Sequence, residues 1–264
     1  MTNGIEVSIE EGLATITLVR PDKLNAFDET MIGALCTACN RLAYDESVRG
    51  ILLIGSGRGF CAGLDLKFAT GEMASGTALP DLVRRIVTQL HGTITELRRA
   101  PKPVVTAING VAAGAGVGIA LAGDVVIASS AASFALTYTK IGLAPDGGTT
   151  YFVTRLVGEK RALDLFTSAE ALPAEEAGRI GLVSRVVPAA DFEREARAHA
   201  HKLAAGPTKA FAHTKSLVLN AVREGLETQM ENERRAIAST FASADFREGV
   251  SAFFEKRAPK FSGA

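Results

Sequence analysis

The sequence predicts an α/β core followed by an all-helical C-terminal region, and three observations carry that expectation. Over the first two thirds of the chain, short apolar runs alternate with segments of helical period. One run, GILLIG (Gly50–Gly55), is apolar throughout, as a strand buried on both faces of a parallel sheet must be. From about Asp191 onward only helical spacing remains, which divides the chain into a core of residues 1–190 and a helical region of residues 191–264. With 264 residues and 47% apolar content, the chain is long enough to fill a sizeable core.

The elements follow in order. LATITLV (Leu13–Val19), rich in β-branched residues, reads as a strand. Asp28 is placed to cap a helix that runs to Tyr44, its carboxylate accepting amides of the first turn. After the GILLIG strand, Pro80 opens a second helix whose Val83, Ile86, Val87, Leu90, Ile94 and Leu97 form one apolar stripe. VVTAI, DVVIA and SFAL are further strands, and GLVSRVV (Gly181–Val187) is the last. The helical region starts with DFEREARAHAHKLAA and breaks at Gly206-Pro207. It continues as Ala210–Arg223, Gly225–Ser239 and Asp245–Lys256. No fixed-period repeat or low-complexity linker interrupts the chain.

Charge and cysteine usage narrow the function classes. Lys plus Arg and Asp plus Glu both total 29, so no global field draws the chain to nucleic acid or to an anionic membrane. Three clustered cysteines (Cys36, Cys39, Cys61) cannot build a disulfide framework, and MTNGIEVSIEEG carries no signal-peptide pattern, so a reducing cytoplasm is expected. Pro103 to Gly123 is uncharged and about as long as a membrane span. It nevertheless contains Pro103, Thr106, Asn109 and five glycines, and it changes midway from β-branched to small residues. A strand, a turn and a helix are expected there.

Three motifs suggest chemistry. Cys36-x-x-Cys39 lies within a helix and has no second ligand pair, so it cannot close a zinc shell and reads as core. Gly114, Gly116 and Gly118 follow a strand but lack the dinucleotide spacing, and GSGRGF (Gly55–Phe60) lacks the Lys-Ser/Thr of a phosphate loop. What such glycines supply is close backbone approach and an amide-rich helix start. GRGFCAGLDL (Gly57–Leu66) is a second turn of the same character, and two free amides facing each other would make an oxyanion hole.

Taken together, RPDKLNAF, GFCAGLDL, PKPVVTAINGVAAGAGVGIALAGDVVIAS, IGLAPDGGTTYFVTRLVG, EEAGRIGLVSRVV and GVSAFFEKRAPKF resemble, in order and over almost the whole chain, the enoyl-CoA hydratase/isomerase (crotonase) superfamily. The resemblance implies a crotonase-like spiral of ββα units and a C-terminal helical region used in assembly as a homotrimer or homohexamer. It also implies a coenzyme A thioester as substrate, with no separate cofactor and no metal. Carried over residue by residue, it places the oxyanion hole at the amides of Leu64 and Ala115. The family's hydratases use two glutamates, and the matching positions here are Gly118 and Tyr138. Asp146 matches the aspartate that the family's isomerases use as base and acid and that 4-chlorobenzoyl-CoA dehalogenase uses as nucleophile. His91 matches the dehalogenase's water-activating histidine, and Tyr138 its pocket tryptophan. For coenzyme A the resemblance points to Leu24 and Ala26, to Ala62, Asp65 and Leu66, and to Phe253 and Lys256 of the same or a neighbouring subunit. Arg58, Lys67 and Lys102 read as surface cations. The expected activity is enoyl-CoA isomerisation. The alternatives are hydration, aryl-CoA dehalogenation or hydrolysis through Asp146 and His91, and thioester binding without turnover.

Overall fold

The computed structural model describes residues 3–264. Its strands are β1 (Ile5–Glu10), β2 (Leu13–Leu18), β3 (Gly50–Gly55), β4 (Gly59–Cys61), β5 (Val104–Ile108), β6 (Val111–Ala113), β7 (Val125–Ser129), β8 (Ser133–Ala135), β9 (Ala171–Pro173) and β10 (Arg185–Val187). The core helices are α1 (Glu29–Tyr44), α2 (Leu66–Ala74), α3 (Leu79–Arg99), α4 (Ala115–Leu121), α5 (Thr149–Val157), α6 (Glu159–Ser168) and α7 (Ala174–Arg179). Four more complete the chain: α8 (Phe192–Ala204), α9 (Thr208–Ala221), α10 (Leu226–Phe241) and α11 (Ala244–Glu255).

The strands form two sheets, one six-stranded in the order β1-β2-β3-β5-β7-β10 and one four-stranded in the order β4-β6-β8-β9. Successive segments feed them alternately: β3, β5 and β7 enter the first sheet, and β4, β6 and β8 enter the second beside them. A helix follows each pair, which gives the expected spiral of ββα turns. The uniformly apolar GILLIG run has a direct cause. Ile51 and Leu53 point into the main core, while Leu52 and Ile54 pack under α8 with Phe192, Ala196, Ala200 and Ala204. The small alanines, one helical turn apart, let α8 lie close to the sheet.

Some expectations need correction. Ile5–Glu10 forms an edge strand that no apolar run announced, because its alternate Ile and Val residues are only half-covered. It pairs with β2 through a turn in which both Glu11 and Gly12 have positive φ. The buried stripe of α3 is Leu82, Ile86, Leu90, Thr93, Ile94 and Leu97, and Val83 faces outward at 39% exposure. That face is fixed by α1, which packs along α3. Of GLVSRVV only Arg185–Val187 is strand, since Gly181 turns the chain at φ +78°. The uncharged stretch from Pro103 is divided among β5, β6 and α4, and among the described residues no helix is long and apolar enough to cross a membrane.

Helix α9 is tied to the core by one buried cation. Lys215 Nζ bonds the Asp124 carboxylate at 2.8 Å and the Leu97 carbonyl at 2.8 Å. Helices α9 to α11 otherwise carry many apolar side chains on their outer faces, among them Val218, Val222, Leu226, Met230, Phe253 and Phe254. Within the core, Leu53→Ala leaves a cavity in the fully buried central strand and is expected to cost about 2–5 kcal/mol, read from the urea midpoint at unchanged slope.

Candidate active site

Three turns meet at one edge of the four-stranded sheet. In the first, Arg20 to Phe27, Leu24 and Asn25 both hold positive φ (50° and 55°), a strained pair for residues with side chains. Asn25 holds them there. It is fully buried, its Nδ2 donates to the Ser56 carbonyl at 2.9 Å and the Gly59 carbonyl at 2.7 Å, and its Oδ1 accepts from the Arg20 amide at 2.7 Å. These bonds press the Leu24–Ala26 backbone against the second turn, where the Ala62 amide donates to the Leu24 carbonyl at 3.0 Å.

The second turn links β4 to α2. Phe27 N–H donates to the Gly63 carbonyl and Asp65 N–H to the Phe27 carbonyl, both at 2.8 Å, forming a one-residue parallel bridge to Leu64. Peptide groups alternate along an extended segment, so Leu64's own N–H points to the opposite side. Gly63 makes this turn possible at φ +85°, and a Cβ on it would lie 2.8 Å from the Ala113 carbonyl oxygen and 3.3 Å from the Ala115 nitrogen. The two amides therefore lie side by side. In the third turn, Gly114 gives its N–H to the Ala135 carbonyl and starts α4, which leaves Ala115 N–H in the helix's unpaired first turn. Among the described residues, neither Leu64 N–H nor Ala115 N–H has an acceptor.

Asp146 precedes Gly147, which packs against Ala115, one of the two donor residues. The turn Pro145–Gly148 is closed by Thr149, whose amide and hydroxyl both donate to the Asp146 carbonyl, at 3.1 and 2.8 Å. Its next residue, Gly147, packs between Leu90 of α3 and Ala115 of α4. The Asp146 carboxylate accepts the Tyr138 hydroxyl on Oδ1 at 2.9 Å. Burial pushes its pKa above the ordinary carboxylate value, and the Tyr138 hydrogen bond and the charge of His91 offset only part of that shift. His91 itself is exposed on α3, one residue beyond Leu90. At Gly118 there is no room for any side chain, because a Cβ would overlap the Gly147 carbonyl oxygen.

The structure thus brings Leu24, Ala26, Ala62, Leu64, Ala115, Asp146, Tyr138 and His91 into one neighbourhood, but it changes several expected roles. Tyr138, placed by sequence among ligand-contacting residues, turns its hydroxyl onto Asp146. Asp65, expected at the ligand, is 5% exposed and its carboxylate is fully used. It caps α2 through the Lys67 and Phe68 amides and pairs with Arg20 at 3.0 Å and Lys23 at 2.7 Å. Burial raises its pKa, but the Lys23 and Phe68 hydrogen bonds and the charges of Lys23 and Arg20 outweigh that and hold it below the usual range. Its backbone is engaged as well, the N–H by the Phe27 carbonyl and the carbonyl by the Ala69 amide.

Leu66 is exposed beside it. Phe253 and Lys256 lie on or just past α11, which packs chiefly on α10 and the C-terminal tail, so this chain does not bring them to its own amide pair. Lys102 is no surface cation: it is 4% exposed and its ammonium bonds the Leu42 and Asp45 carbonyls at the end of α1. Among the described residues no group of three or more His, Cys, Asp or Glu side chains could hold a metal. The Tyr138–Asp146 bond and the Gly118–Gly147 contact were not found from sequence, since both join turns that only the fold brings together.

Comparisons with known proteins extend over nearly the whole chain. The family described as enoyl-CoA hydratase/isomerase matches residues 8–264. A "Probable enoyl-CoA hydratase" of Rhodobacter capsulatus is 44% identical over 98% of both chains. The 1,2-epoxyphenylacetyl-CoA isomerase of Escherichia coli is 40% identical over 97% of both. The crystal structure of an enoyl-CoA hydratase from Bacillus anthracis superposes with a TM-score of 0.91 at 32% identity, covering 99% of this chain and 100% of the other. A test of the first turn is Asn25→Ala, which strips three hydrogen bonds, one buried and two partly buried, from strained backbone. It is expected to lower stability by about 2–4 kcal/mol in urea unfolding.

Proposed function

The chain belongs to the enoyl-CoA hydratase/isomerase family and acts on acyl-CoA, and we propose that within this family it is an isomerase that moves a carbon–carbon double bond next to the thioester. The observation that carries this reading is the closure of the Gly118 position by the Gly147 carbonyl. Adding water across a double bond needs one group to deprotonate water and another to protonate carbon. At the two positions matching the hydratase glutamates, one has no space for a side chain and the other is a buried phenol whose pKa is pushed up, first by burial. One carboxylate remains, and a double-bond shift needs only one.

In the proposed reaction, a 3-enoyl thioester presents its carbonyl oxygen to the amides of Leu64 and Ala115. Asp146 takes a proton from C2, and the charge moves onto the thioester oxygen as a dienolate. The two amides stabilise that oxygen more than the starting carbonyl, each contributing roughly 10²–10³ in rate. Asp146 then returns the proton to C4, giving the conjugated 2-enoyl product, with a contribution of roughly 10²–10⁴ from base catalysis. The exposed apolar faces of α9 to α11 support assembly into a trimer or hexamer, in which a neighbour's Phe253 and Lys256 would complete the coenzyme A site. Three free cysteines are in keeping with a cytoplasmic location.

A second reading rests on His91, whose charge reaches Asp146. There, the Asp146 carboxylate attacks the halogen-bearing ring carbon of an aryl-CoA and halide leaves; neutral His91 then takes a proton from water, which attacks the ester carbonyl, breaks its acyl–oxygen bond and releases the hydroxyaryl-CoA with the Asp146 carboxylate restored. Heavy-oxygen water separates the two, because isomerisation incorporates no solvent oxygen and hydration or hydrolysis does.

With 3-enoyl-CoA as substrate, Asp146→Asn is expected to lower kcat by about 10²–10⁴ with folding intact, and equal rates in both proteins would rule out the assigned role. The base must be ionised, so kcat/KM is expected to fall as pH drops through a midpoint above the ordinary carboxylate value of 3.8, as followed in a pH–rate profile. Gly118→Glu is expected to displace the Asp146 turn, reducing isomerisation without creating hydration of 2-enoyl-CoA, as measured by product chromatography.

A further inference from the structure

We propose that Tyr138 is a positioning residue that ties down Oδ1 of Asp146 and so makes Oδ2 the only oxygen that carries the migrating proton. This rests on the isomerase reading above, which uses Asp146 without distinguishing its two oxygens. The Tyr138 hydroxyl lies 2.9 Å from Oδ1 and 3.3 Å from the Asp146 carbonyl, on a side chain that is 7% exposed. The Tyr138 backbone lies in the tight turn Thr137–Ile141, and its carbonyl accepts the Leu143 amide at 3.0 Å. Among the described residues no donor meets Oδ2.

A buried phenol next to a carboxylate stays protonated and can only donate here. Burial and the Asp146 charge both push its pKa up. The donated hydrogen takes one lone pair of Oδ1 and lowers the basicity of that oxygen, whereas Oδ2 has no donor among the described residues, so the proton taken from substrate goes to the more basic Oδ2. The step balances on one atom: the C2–H bond breaks as the Oδ2–H bond forms, and then the Oδ2–H bond breaks as C4–H forms. Rotation of the carboxyl group, which would bring the proton toward solvent and exchange it, requires breaking the Tyr138 bond. The titratable groups facing Asp146 are Tyr138 and His91. Ala115 to Gly118 of α4 and Thr149 of α5 do not titrate.

The test has two arms. In the first, substrate deuterated at C2 is converted in ordinary water, and the deuterium found at C4 is measured by mass spectrometry. The wild type is expected to transfer most of the label. Tyr138→Phe is expected to lose most of it to solvent, with kcat down roughly 10- to 100-fold and KM nearly unchanged. In the second arm, ¹³C NMR follows the Asp146 carboxyl in the free enzyme. The midpoint is expected to rise in Tyr138→Phe and to fall when the chain's three tyrosines are replaced by 3-fluorotyrosine, a stronger donor that preserves the ring should the Phe variant fold poorly.

Unchanged label transfer, or a midpoint that ignores both substitutions, overturns the proposal. A wild type that lacks isomerase activity but shows the midpoint shifts overturns the functional reading instead, while supporting the coupling between Tyr138 and Asp146.

Discussion

The site depends on main chain packed against main chain around the short helix α4. At Gly63 and Gly118 the backbone of a neighbouring turn comes so close that a methyl group would collide with it. Protein interiors at this density transmit position from one segment to the next. The turn after β4 sets where Leu64 N–H lies relative to Ala115 N–H, and the turn before α5 is held against the same helix by Gly147. Two hydrogen-bond donors and one carboxylate are thus referred to a single rigid object, without any side chain acting as spacer.

This construction also decides which chemistry the site can host. A catalytic glutamate on α4 would need the volume that the Gly147 carbonyl fills, so the Asp146 turn can approach α4 only where residue 118 lacks a side chain. The acidic group is consequently carried on a turn, not on the helix. A turn is a less rigid platform, and the structure compensates with three donors from two residues: Thr149 on the carbonyl and Tyr138 on the carboxylate. Burial raises the pKa of Asp146, which suits the proton transfer proposed for it.

Away from the reacting atoms, charge serves to hold loops. Asp65, Arg20, Lys23 and Asp28 form a network that joins the start of α1, the start of α2 and the strained Leu24–Asn25 backbone. Part of the network is shielded from solvent, so its hydrogen bonds count for more than those of open surface pairs. Lys102 and Lys215 do similar work elsewhere, placing buried ammonium groups on carbonyls at helix ends.

Much of this was determined by the sequence alone. Apolar periodicity marked β2, β3, β5, β7 and β8, α1 with its Asp28 cap and the helical C-terminal region, because each of these signals lies within a few consecutive residues, whereas the three-residue strands β4 and β6 lie in segments that read as turns. The resemblance of its motifs to the family pointed to Leu64, Ala115 and Asp146, since each lies in a short turn with a recognisable residue pattern. Tertiary structure alone decided that Val83 faces outward, that the Asp65 carboxylate is consumed by structural partners and that the Tyr138 hydroxyl serves Asp146. It also decided that Gly118 is empty because another backbone fills the space. Those outcomes depend on which segments become neighbours in three dimensions, and no spacing along the chain encodes the distance between two turns that meet only after the core has closed.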